Sequence, residues 1–141
     1  MKRAHGIDFN LFGDDMQFVE IALDSNESVV AEAGAMMYME NGIEMDAVFG
    51  DGSDNDSKKG FMDKVIGAGK RILTGESLFM TVFTNKAHER KSLAFAAPYP
   101  GKIIPLDLAN QGGQIICQRD AFLCAAKGIQ IEIAFQKNLG T

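Results

Sequence analysis

The chain has 141 residues, a net charge of −5 and a pI near 5.0, a length that suits one domain or two small fused units burying roughly two thirds of the unfolded surface. The acidic balance excludes DNA as a partner and disfavours RNA, because nucleic-acid affinity rests on clustered Lys and Arg. Two cysteines make no disulfide framework, no apolar run approaches the roughly 18 residues of a spanning helix, and the opening Met-Lys-Arg-Ala-His-Gly lacks the apolar stretch of a signal peptide, so a cytoplasmic, soluble protein is expected.

From the N-terminus, residues 7–12 and 16–23 are rich in β-branched and aromatic side chains and flank Gly13-Asp14-Asp15, which predicts two strands joined by a turn. In the second of them Val19, Ile21 and Leu23 alternate with Glu20 and Ala22. Residues 29–49 read as a hairpin. One arm is 35–39, the turn is Asn41-Gly42, and the other arm places Ile43, Met45, Ala47 and Phe49 on one face against Glu44, Asp46, Val48 and Gly50.

The polar run 50–60 predicts a surface loop. It alternates carboxylates as a calcium loop does, but Gly is missing from the sixth position and Glu from the twelfth. Residues 61–73 predict the one helix, with Phe61, Val65, Ile72, Met62, Ile66 and Leu73 as an apolar stripe and Asp63, Lys64, Lys70 and Arg71 opposite. Three cations are few for a membrane-surface helix, so packing on the sheet is favoured. Residues 78–84 and 93–97 are two more strands. In the first, Phe79 and Phe83 face one way and Leu78, Met80 and Val82 the other, which places it between two layers or at an interface. Ile104, Leu106 and Leu108 predict a further strand, made an edge or a bulge by Pro105, which lacks an amide proton.

Residues 115–135 then repeat 29–49 without a gap at an offset of 86. Ala35, Gly42, Ile43 and Phe49 fall on Ala121, Gly128, Ile129 and Phe135, and the second alternation is Ile129, Ile131, Ile133 and Phe135. A fixed offset of this kind marks a duplicated structural unit.

Motifs that would carry chemistry fail on spacing. Gly67-Ala68-Gly69-Lys70-Arg71 has neither the earlier Gly nor the following Ser or Thr of a phosphate loop, and no third Gly for a dinucleotide fingerprint. Gly75-Glu76-Ser77-Leu78-Phe79 ends in Phe where a nucleophile elbow needs Gly. Cys117 and Cys124, with His5 and His88 far apart, do not make a zinc or cupin-like site, and both cysteines are expected to be free, buried thiols. No catalytic residue, metal or cofactor is expected.

The segments 73–81, 94–108 and 117–125, above all Pro98-Tyr99-Pro100-Gly101-Lys102-Ile103, closely resemble the family named for altered inheritance of mitochondria, which has bacterial, archaeal and mitochondrial members. The resemblance runs from about residue 31 to 140. It implies a duplicated β-fold similar to the tryptophan RNA-binding attenuation protein, often assembled into rings, and it brings no catalytic residues that could be carried over. Members usually continue beyond Leu139-Gly140 into a Gly-Glu-Gly-rich strand, whereas this sequence stops at Thr141.

The expected fold is therefore mainly β: a duplicated antiparallel β-sandwich or double-stranded β-helix with one short amphipathic helix. Residues 1–102 form the first unit, including the acidic loop and helix 60–73, and 103–141 the second, one strand short. An unfinished sheet exposes unpaired backbone groups, so the chain is expected to be a fragment of a longer protein or a homo-oligomer, a trimer or ring. Interface candidates are Phe79, Phe83, Ile129, Ile131, Ile133 and Phe135. The expected function is that of a non-catalytic scaffold acting through oligomerisation and binding of a partner protein or ligand. Alternatives are RNA or small-molecule binding between β-units, by fold analogy alone, and association with a membrane surface through helix 61–73.

Overall fold

The structure is a computed structural model that describes residues 6–49 and 79–131, with side chains described for all of these except 47–49 and 79. In chain order its strands are β1 (Asp8–Gly13), β2 (Gln17–Leu23), β3 (Ser28–Ala31), β4 (Met36–Met39), β5 (Ile43–Phe49), β6 (Phe79–Asn85), β7 (Lys91–Ala96) and β8 (Cys124–Ala126). They make two antiparallel sheets of four, in the orders β1-β2-β7-β4 and β5-β6-β3-β8.

The β1–β2 hairpin is set by Gly13. Its φ is +98°, and a Cβ there would sit 2.2 Å from the carbonyl oxygen of Met16, so no other residue fits without moving the turn. Downstream, the period-two pattern of β2 sends Val19, Ile21 and Leu23 inward, and the ladder to β7 sets Val19 opposite Phe95 and Ile21 opposite Leu93. From the facing sheet, Val29 and Ala31 of β3, Ile43 of β5 and Phe83 of β6 meet these groups in one buried cluster. Phe83 and Phe95 link the layers edge to face, with ring centroids 5.2 Å apart and planes at 75°, the geometry that the aromatic quadrupole favours.

The second sheet is also covered on its outer side, where Val30, Met80 and Val82 are buried and Phe122 and Ile131 pack on them. The two-faced apolar pattern of β6 thus reports a strand between two layers. The mainly β architecture and the early strands follow the sequence pattern. The predicted acidic loop and helix 61–73 lie outside the described residues.

Two expectations need correction. The first repeated segment is not a hairpin, since β4 pairs with β7 and β5 with β6; in the second, β8 pairs with β3, and most of the arm expected at 129–135 lies outside the described residues. Alternation tells which face a residue occupies but not which strand lies beside it. At residues 40–43 the chain crosses from one sheet to the other, with Gly42 at φ +106°, its carbonyl accepting the Lys86 amide at 2.8 Å. The strand expected at 104–108 is likewise absent. Pro105 cannot donate to a ladder, and Leu108–Gln111 forms a 3-10 turn in which the Asp107 carboxylate accepts the Ala109 amide at 3.0 Å.

The repeat is nevertheless visible in the backbone. The 3-10 turns Ala33–Ala35 and Arg119–Ala121 stand 86 residues apart, each closed by a 3.0 Å bond, Ala35 to Glu32 and Ala121 to Gln118. Gly42 and Gly128 share φ values of +106° and +105°, and Asn26 and Gly112 values of +68° and +74°. Ile43 and Ile129 donate to the carbonyls three residues before them at 3.3 and 3.2 Å.

Candidate functional site

The residues predicted to form an interface are not gathered on one open face. Phe83 is fully buried in the intramolecular core against Phe95, which corrects its reading as a contact residue: its apolarity serves the packing of the two sheets. Phe79 begins β6 opposite Phe49, and nothing of its side chain is described. Ile129 and Ile131 are half-buried, Ile131 against Val30, Met80 and Val82. Ile133 and Phe135 lie outside the described residues.

Among the described residues, one run of exposed apolar side chains lies in 103–117. Ile104 is 73% exposed, Leu106 51%, Ile115 47% and Ile116 63%. At its start this stretch is fastened to the β1–β2 turn. Gly101 donates its amide to the Asp15 carbonyl at 2.7 Å, Ile103 donates its amide to the Gln17 side-chain oxygen at 2.7 Å, and Lys102 reaches Asp14 at 2.6 Å. Beyond it, Arg119 lies 3.9 Å from Glu32. These exposed ion pairs contribute about 1 kcal/mol or less; the backbone bonds are what fix the segment's path.

The duplication gives this exposure its meaning. Residues 114–117 are the counterparts of Ser28–Ala31, the β3 strand, which is buried along its whole length between β6 and β8. Gln114, Ile115, Ile116 and Cys117 are all exposed, and among the described residues they pair with no strand. The same local sequence type is a central strand in one unit and an open segment in the other.

A second exposed apolar stretch is β4, the last strand of its sheet, where Met37, Tyr38 and Met39 are exposed. The Tyr38 hydroxyl donates to a Glu20 carboxylate oxygen on the outer sheet face. That bond, with some burial and the nearby carboxylate charges, holds the phenol above its usual value, so it remains a protonated donor at neutral pH.

The buried polar side chains of Ser28, Thr84 and Asn85 are committed to the fold. Ser28 and Thr84 share a hydroxyl hydrogen bond of 2.7 Å. Asn85 donates to the carbonyls of Leu23 and Glu89 and accepts the Ala87 amide. Among the described residues no three His, Cys, Asp or Glu side chains are grouped to hold a metal ion, and no helix is long and apolar enough to cross a membrane. The cysteines differ: Cys124 is half-buried, with its thiol pushed up to about 12 by burial, whereas Cys117 is exposed. The expectation that both are buried is therefore corrected for Cys117, which is exposed.

A comparison with curated proteins gave no match. Among solved structures, the crystal structure of a Streptococcus pyogenes protein from a structural genomics programme is similar, with 23% identity and a TM-score of 0.52 over 84% of this chain and 50% of that one. The likeness is one of fold, and this chain spans about half the length of that protein. A profile described as mitochondrial biogenesis AIM24 matches residues 9–141, which include the segments that carried the resemblance, and the chain belongs to that family.

Proposed function

We propose that this member of a mitochondrial biogenesis family is a non-catalytic β-scaffold that works by self-association and partner binding, with 103–117 as its contact surface. The observation that carries the reading is the contrast between β3, fully buried, and its counterpart 114–117, exposed at Ile115 and Ile116. Open strand-like segments with apolar side chains are templates for pairing with another chain, and contiguous exposed apolar surface marks interaction sites. The exposed groups here are apolar, and the buried polar side chains Ser28, Thr84 and Asn85 are engaged in internal hydrogen bonds, which supports binding over catalysis.

Ile116→Asp tests this. An isoleucine fully buried at a contact is worth about 1.5–3 kcal/mol, and a carboxylate in its place adds a desolvation cost. Sedimentation velocity should show the wild-type assembly shifting to smaller species by at least tenfold in dissociation constant. The unfolding midpoint of the dilute protein should hardly change, because the side chain is exposed within the chain. Equal assembly of the two proteins, or a strictly monomeric wild type, would overturn the reading.

A further inference from the structure

The in-chain ladder between β3 and β8 shows how the two repeated units recognise each other. In it Val29 lies opposite Ala126, Val30 opposite Ala125 and Ala31 opposite Cys124, antiparallel. β8 belongs to the second unit, and its residues are the counterparts, 86 positions on, of Tyr38, Met39 and Glu40. A strand of type β3 from one unit thus takes a strand of type β4 from the other. The reciprocal pair, 115–117 with β4, is the one whose members both remain exposed: among the described residues β4 ends its sheet with one edge unpaired, and Ile115 and Ile116 are open.

We infer that residues 115–117 of one copy pair antiparallel with the open edge of β4 in a second copy, placing Ile115 opposite Glu40, Ile116 opposite Met39 and Cys117 opposite Tyr38. The inference rests on the self-association reading above and specifies its occupant and register. The chemistry of the seam suits it. Met39 and Ile116 are exposed and apolar, and Tyr38 offers an aromatic face beside the small, exposed Cys117. The carboxylate of Glu40 is turned back to accept the Ser92 amide at 2.7 Å, which keeps its charge engaged with its own sheet. Because the two surfaces differ, the contact is heterologous and repeats from copy to copy, closing into a ring where the rotation allows.

The register can be read by disulfide trapping, with Cys117 already in place. Directly opposed residues of an antiparallel pair have Cα atoms about 4.5–5.5 Å apart, within the roughly 4.4–6.8 Å span of a disulfide. Tyr38→Cys, oxidised with diamide, should give covalent dimers and larger species on non-reducing electrophoresis, and Tyr38→Cys with Cys117→Ser should not. A second pair, Met39→Cys with Ile116→Cys in a Cys117→Ser background, covers a folding defect in the first and should cross-link equally, whereas Met37→Cys, out of register, should trap at least fivefold less. If the proteins assemble yet neither in-register pair cross-links between copies, the pairing is wrong while self-association stands. A cross-link formed within one chain overturns the second copy as occupant. A strictly monomeric wild type removes the reading under Proposed function and this inference with it.

Discussion

Phe83→Ala is expected to remove a large share of the protein's stability. The side chain is fully buried and joins the sheets through its edge-to-face contact with Phe95, surrounded by apolar groups from both layers. Truncating a buried Phe typically costs about 3–5 kcal/mol, set against the 5–15 kcal/mol that typically holds a domain of ordinary size together. Met45 lies directly opposite Phe83 in the ladder but is exposed at the sheet edge. In urea denaturation, Phe83→Ala should lower the unfolding free energy by about 3 kcal/mol or more, while Met45→Ala should change it by less than about 1 kcal/mol. Similar losses for the two would show that the sheets are not joined as described.

The next largest effect is expected at Asn85. Its side chain is fully buried and makes three hydrogen bonds, donating to the Leu23 carbonyl at 2.9 Å and the Glu89 carbonyl at 2.8 Å and accepting the Ala87 amide at 2.9 Å. It thereby ties the end of β2 to the turn between β6 and β7. Asn85→Ala strips three backbone groups of a partner, one buried and two part-buried, and a buried group left unsatisfied costs about 1–3 kcal/mol, so a loss of about 3 kcal/mol is expected. Asn85→Asp separates this from a simple packing loss. The new carboxyl would face two carbonyl oxygens in a dry site, which raises its folded-state pKa above the unfolded value of about 3.9. The native state then binds more protons than the unfolded one between those two values, so stability falls as pH rises through that window. Melting of Asn85→Asp should therefore worsen from pH 4 to pH 7 relative to wild type, while Asn85→Ala should show no added slope. A pH-independent Asn85→Asp would mean that water reaches the site.

Which of these features the sequence reveals depends on whether the cause is local. The alternation of Val19, Ile21 and Leu23 and the turn at Gly13 are local, and they predict β1 and β2 within a residue or two. The two-faced pattern around Met80, Val82 and Phe83 is local as well, and the strand it predicts is buried on both sides. Partner choice is not local. Ile43 and Met45 alternate as they would in a hairpin with β4, yet pair with β6, whose residues lie some forty positions downstream. Asn85 reads as a turn residue, because its bond to Leu23 spans 62 positions. The proposed contact surface was hidden for a different reason. Ile104, Leu106, Ile115 and Ile116 have the composition of buried strands, and composition records a preference for burial without saying whether the same chain supplies the cover.

Amide hydrogen exchange, followed at several protein concentrations, tests the central claim most directly. Residues 29–31 lie in a strand flanked on both sides within the chain and should exchange slowly at every concentration. Amides 115–117 should exchange quickly in dilute protein and slow by at least tenfold once the protein assembles. Fast exchange at 115–117 in a sample that sedimentation shows to be assembled, or slow exchange there in the dilute monomer, would contradict the proposed contact surface on the counterpart of β3, which pairs with no strand among the described residues.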